Sequence, residues 1–221
     1  MQRKFSFVAG ELYHVYNRGI EKRTIFREQP DSIRFQNLLY LCNSRKRLVY
    51  KLIQGAPLDY ERGEPLVEIL GYALMPNHLH IIAKESQNGG VSTFMGKVST
   101  AYTMYFNTKY ERTGGLMCRP FRAKHILDDD YLRWLFSYVH LNPVDLCVNG
   151  WKQQRDVDVE LVSNFLRGFP FSSYVDYFDS GTVRPAGKIL SRGSMPIDIS
   201  EIESVQQMLE EYGSFQGDPL E

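Results

Sequence analysis

The 221-residue chain is long enough for one full hydrophobic core and needs no second one. With 43% hydrophobic and 24% charged residues its composition is that of a globular protein, and no apolar run approaches the roughly 18 residues of a membrane span, which excludes a membrane partner from the expectation. The formal net charge of zero conceals an asymmetry: residues 1–127 carry 19 Lys and Arg against 10 Asp and Glu, whereas residues 128–221 carry 7 against 16. A basic body followed by an acidic stretch is compatible with nucleic acid on one face, despite the neutral average. Met1-Gln2-Arg3-Lys4 leads into no apolar signal-peptide core, so a cytoplasmic location is expected. Cys42, Cys118 and Cys147 are odd in number and widely spaced, which suits buried thiols rather than disulfides or a zinc site.

In chain order, the alternating, aromatic-rich Tyr13-His14-Val15-Tyr16-Asn17 predicts a strand that stops at Arg18-Gly19. Pro30-Asp31 opens a helix whose apolar side is expected to run through Ile33, Phe35, Leu38, Leu39 and Leu41. A short strand is expected at 48–53, then a surface loop around Gly55, Pro57, Gly63 and Pro65. Two strand-like runs, 67–74 and 78–84, are split by Met75-Pro76-Asn77 and form a hairpin. Helical spacing returns over 91–107, with Ser92 as the expected cap, and 121–127 reads as a last strand. Asp128-Asp129-Asp130 opens a third helix to about Leu141, where Pro143 ends it and turns Asn142 away from helical geometry. Beyond Asn149 the pattern weakens, leaving one late helix at 200–212 and an expected disordered tail after Gly213. The order β, α, β, β, α, β plus an extra helix predicts an α+β fold, a ferredoxin-like antiparallel sheet with helices on one face.

Two features carry chemistry. His78 and His80 are two apart on a strand, so both imidazoles point to one sheet face and can converge on a metal ion, while Leu79 points into the core. The same pattern also describes ordinary polar residues on a strand. Tyr138 and Asn142 are four apart, and therefore neighbours on one helix face. The amide oxygen of Asn142 would complete a set of two imidazoles and one oxygen that suits Mg²⁺ or Mn²⁺. Leu135, Tyr138 and Val139 equally describe a core stripe.

The strings YHVYNRG, GYALMPNHLHII, YFNTKYERTGG and YLRWLFSYVHLNPV, in this order over residues 10–150, together resemble the blocks of the single-tyrosine HUH transposases. The resemblance is strongest to the branch associated with repetitive extragenic palindromes, and FPFSSY at 169–174 is similar to a further block. It implies that His78 and His80 are the metal-binding histidines, Tyr138 the nucleophile and Asn142 a third metal ligand. Residues 1–150 then form the catalytic domain and 151–221 an acidic extension. The implied activity is transposase-like cleavage and rejoining of single-stranded DNA, with a hairpin beside the cut, through a 5′-phosphotyrosine. Candidate DNA contacts are Arg18, Lys22, Arg23, Lys97, Lys109, Arg112, Arg119, Arg122 and Lys124. The family contains both monomers and homodimers, and the sequence does not choose. Met117-Cys118-Arg119-Pro120 departs from the glutamine-containing segment of relatives, and the loop at 55–66 reads as inserted. Tyr102 and Tyr105 compete as nucleophiles but lack an amide four residues on. The alternatives are a domesticated protein that binds DNA hairpins with little catalysis, and a metal-dependent phosphohydrolase in which Tyr138 is structural.

Overall fold

The computed structural model describes residues 6–47, 49–154, 156–179, 181, 183–202 and 204–214. Four strands, β1 (Leu12–Arg18), β2 (Val67–Met75), β3 (His78–Glu85) and β4 (Arg122–Ile126), pair antiparallel in the order β2-β3-β1-β4. That order, with a helix between β1 and β2 and another between β3 and β4, is the ferredoxin-like arrangement expected from the element sequence.

Helices α1 (Gln29–Leu41) and α2 (Gly90–Lys109) cover one face, where Tyr13, Val15, Leu74, Leu79 and Ile81 pack against Phe35, Leu39, Phe94, Val98 and Tyr102. The extra helix α3 (Asp129–Leu141) lies on the opposite face, over Leu70, Ala73 and Ile82. A bulge between Ile69 and Gly71 shifts the alternation of β2 by one residue, so that Val67, Ile69, Tyr72 and Leu74 all face the first core while Leu70 and Ala73 face the second. Asp128 accepts a hydrogen bond from the Tyr131 N–H (2.7 Å) and caps α3.

Several local expectations change. Ile33, expected on the apolar side of α1, proves exposed in the folded chain. Tyr50–Leu52 is a single 3-10 turn instead of part of a strand, and Leu48 lies outside the described residues. The reason is lateral packing: the Tyr50 ring sits 3.4 Å from the Arg34 guanidinium and its hydroxyl accepts from Asn37 Nδ2, so it braces α1 from outside the sheet. Asn142 keeps helical dihedrals (φ −54°, ψ −40°) and the chain runs on into a 3-10 turn, Asn142–Leu146, with Pro143 inside its first turn. A following proline disfavours the helical region without forbidding it, and burial of Pro143 and Val144 holds this one. The first N–H groups of α2 are capped across the chain: the buried Glu85 carboxylate accepts from Gly90 and Val91, both at 2.8 Å, with Gly89 at the cap position in place of Ser92. Of the three thiols only Cys42 is buried; Cys118 is half-buried and Cys147 exposed.

Past Asn149 the chain is more regular than its pattern indicates. Helix α4 (Val159–Gly168), where no element is expected, lays Val159, Val162, Phe165 and Leu166 on the second core. Residues 171–173 lie along the edge of β2, with Leu74 N donating to Phe171 O and Ser173 N to Tyr72 O, both at 2.9 Å, and a short helix α5 (Tyr174–Phe178) follows. The late helix is α6 (Val205–Ser214), which packs on α3. The tail from 215 on lies outside the described residues.

One side chain ties the start of β2 to the end of α1. Asn43, 1% exposed, donates from Nδ2 to Val67 O (2.8 Å) and accepts at Oδ1 from Leu66 N (2.8 Å) and Val67 N (3.0 Å). Asn43→Ala orphans three buried backbone groups, and a loss of about 2–4 kcal/mol in urea unfolding is expected. An unchanged denaturation midpoint would contradict that role.

Candidate active site between the sheet and helix α3

Alternation on β1 and β3 sends His14, Tyr16, His78 and His80 to the α3 face, and antiparallel register places Tyr16 beside His80 and Arg18 beside His78. The hairpin tip is held by the β1–α1 connection, since Gly19 N donates to Asn77 O and Ile25 N to Pro76 O. Gly19 is required there by close approach: a Cβ would come within 2.2 Å of Arg23 O. His78 and His80 line a cleft of about 510 Å³ together with Tyr16, Arg18, Lys22 and Arg122.

The histidines meet α3 at its C-terminal end. His78 Nε2 lies 3.0 Å from Asn142 Oδ1, and His78 Nδ1 lies 2.6 Å from Asn77 Oδ1. Asn77 Nδ2 is directed at Lys22 O (3.4 Å), which leaves its Oδ1 to accept the His78 Nδ1 proton. His78 Nε2 is left to meet the Asn142 side chain, whose Oδ1 lies 3.0 Å away and whose Nδ2 is buried without a hydrogen-bond partner. A cation held between Nε2 and Oδ1 would suit that pair of atoms. Adjacent ligands of an octahedral ion at about 2.1 Å are about 3.0 Å apart, which matches the His78 Nε2–Asn142 Oδ1 separation. Among the described residues no group of three or more His, Cys, Asp and Glu side chains could hold a metal, so protein donors would number two imidazoles and one carboxamide. Such a sparse set leaves positions for phosphate oxygens.

Burial holds the His80 imidazole well below its ordinary pKa, with His14, His78 and Lys152 adding to the effect. His80 is therefore neutral at pH 7 and has a lone pair to offer. Tyr138, one turn before Asn142, sits edge-on to His80 with ring centroids 5.3 Å apart. It is only 5% exposed: Trp134 stacks on it at 5.2 Å, Tyr212 of α6 at 6.2 Å, and Lys152 Nζ lies 5.0 Å from the ring centre. The structure thus brings His78, His80, Asn142 and Tyr138 together. Tyr102 and Tyr105, by contrast, lie on α2 across the sheet, where their hydroxyls donate to Ile25 O and Asp31 Oδ1.

The candidate DNA contacts divide. Arg18, Lys22 and Arg122 line the cleft. Arg23 and Arg112 line a neighbouring cleft of about 550 Å³ with Arg27 and Phe106. Arg119 is exposed, and Lys124 lies over the Tyr131 ring at 4.6 Å. Lys97 and Lys109 are not part of either cleft: Lys97 donates to Ser44 O and Lys46 O, and Lys109 pairs with Asp31 and Glu28. Sequence reasoning missed His14, Tyr16 and Lys152. The first two share the alternation of β1, but nothing in the sequence states that β1 lies beside β3.

No family model and no curated protein sequence matches this chain. Among solved structures, a REP-associated tyrosine transposase bound to a REP hairpin is similar, with a TM-score of 0.52 and 14% identity over 84% of this chain and 90% of that one. Likeness at that identity is one of fold: an α+β chain around a four-stranded antiparallel sheet. Among the described residues no helix is long and apolar enough to cross a membrane.

Proposed function

We propose that the chain is a transposase-like DNA strand transferase of the single-tyrosine HUH type, acting on single-stranded DNA with an adjacent hairpin. The observation that carries this reading is the convergence of His78 Nε2 and Asn142 Oδ1, 3.0 Å apart, one helical turn from Tyr138 and with His80 alongside. The transposase that shares the fold is bound to a DNA hairpin, which supports the substrate class. Residues 1–150 are the catalytic unit in this reading and 151–221 an extension that covers Tyr138, and a DNA substrate suits a cytoplasmic location.

In the proposed reaction the Tyr138 hydroxyl oxygen attacks phosphorus, the bond to the 3′-oxygen breaks, and a 5′-phosphotyrosine forms as the 3′-oxygen gains a proton. The ester bond is conserved, so a second 3′-hydroxyl can displace the tyrosine without a nucleotide cofactor. His78, His80 and Asn142 would hold a divalent ion, Mg²⁺ or Mn²⁺, whose charge offsets that developing on the phosphoryl oxygens. Arg18, Lys22 and Arg122 hold the phosphates flanking the cut, and Tyr16 offers a ring to a base.

Incubation with a labelled hairpin oligonucleotide and Mn²⁺ tests this, with a denaturation-resistant protein–DNA adduct as the expected result. Cleavage without adduct would instead indicate a phosphohydrolase. Tight binding without cleavage would indicate a hairpin-binding protein, a reading favoured by the 5% exposure of Tyr138. For the contacts, Arg18→Ala and Arg122→Ala are each expected to lower the slope of log affinity against log salt by about 1. Unchanged slopes in the double variant would remove both from the interface.

A further inference from the structure

His14 is the one imidazole of this cluster that the proposed chemistry leaves unused, yet it is fully buried and bonded to a candidate metal ligand. It stands on β1 with its Nε2 2.9 Å from His80 Nδ1, and the two rings are near parallel, 9° apart in plane. Its other nitrogen, Nδ1, is buried without a hydrogen-bond partner.

The geometry points to His14 as the positioning residue that sets the tautomer of His80: His14 Nε2 accepts the His80 Nδ1 proton, so that the His80 Nε2 lone pair is directed at a divalent cation. This inference rests on the proposed metal site. A neutral imidazole carries one proton, and a ring that binds a cation through Nε2 must keep that proton on Nδ1. Among the described residues, His14 is the hydrogen-bond partner of His80 Nδ1. That direction puts the His14 proton on Nδ1, a buried N–H with no hydrogen-bond partner, at a cost that cation binding by His80 must offset. An apolar aromatic ring at position 14 would fill the same space between Tyr16 and His80 while offering no acceptor. Retention of two nitrogens in a fully buried site, one of them unpartnered, costs stability that ring packing alone does not require.

Mn²⁺ titration of the full chain by calorimetry, with no DNA present, tests the assignment. His14→Phe is expected to weaken Mn²⁺ affinity by about 10- to 100-fold, the usual effect of losing a group that orients a ligand. His14→Gln, whose side-chain oxygen can accept the same proton, is expected to recover most of the loss. Native protein that binds no Mn²⁺ would overturn the metal reading and this inference with it. Tight native binding matched by His14→Phe would overturn the inference alone. A long-range ¹⁵N–¹H NMR spectrum of the Mg²⁺-saturated native protein reads the tautomer without any substitution. His80 protonated at Nδ1 and bare at Nε2 is the expected result, and the reverse assignment would overturn the inference even if both variants failed to fold.

Discussion

A Tyr138→Phe protein is expected to form no covalent adduct with a labelled oligonucleotide while still binding it. Phenylalanine keeps the stack on Trp134 and the edge contact with His80, so the substitution removes one oxygen and little packing. A neutral phenol is a weak nucleophile, so catalysis depends on groups that take its proton or stabilise the charge developing on the phosphoryl oxygens. No other residue can take over an attack made by the lost atom, and adduct yield should fall at least about 10³-fold. The helix α2 tyrosines are poor substitutes: Tyr102 is fully buried and burial raises its pKa far above the ordinary value, with Asp31 adding to the effect. Tyr105 is likewise raised by burial, and its hydroxyl is bound to Asp31 on the far face of the sheet. An adduct that persists in Tyr138→Phe would refute the assignment, and its loss in Tyr16→Phe would then move the role to the tyrosine in the cleft.

The second large effect concerns the histidines. His78→Ala or His80→Ala is expected to abolish the divalent-ion dependence and to reduce cleavage by about 10² to 10³-fold, since a cation at a developing phosphoryl charge is worth several kcal/mol. With three protein donors at most, loss of one imidazole leaves too little to hold the ion against water. The two variants differ in side effects. His78 is half-buried at the cleft with Asn77 and Asn142 against its two ring nitrogens, so its removal should cost about 1 kcal/mol of stability. His80 is 5% exposed and is the recorded partner of His14, so its removal also orphans a buried nitrogen, at about 1–3 kcal/mol. Cleavage measured against Mn²⁺ concentration decides the matter: full, still metal-dependent activity in the double variant would sink the role.

Much of the sheet was legible because its signals are local. Alternation in Tyr13–Asn17, the Pro76-Asn77 turn and the Asp128 cap each act within a few residues, and each element formed where these signals predict it. Local signals failed where a distant partner decides. The run at 48–53 has strand-like composition, yet Arg34 and Asn37 of α1 claim Tyr50 before any strand can. Helix α4 does carry a helical stripe, Val159, Val162, Phe165 and Leu166, but it is short and set among Gly, Pro and acidic residues; Glu85 caps α2 from the preceding strand, where a search of the helix's own first residues cannot find it.

At the candidate site the same division holds. Spacing alone determined that His78 and His80 share a sheet face and that Tyr138 and Asn142 share a helix face, because the periods of strand and helix are fixed by backbone geometry. Only the tertiary structure decided that these two faces meet, since α3 had either side of the sheet open to it. It also decided that His14 reaches His80, that Lys152 and Tyr212 cover Tyr138, and that Lys97 and Lys109 are committed elsewhere. Strand register and helix docking join residues tens of positions apart, and no short-range pattern encodes such contacts.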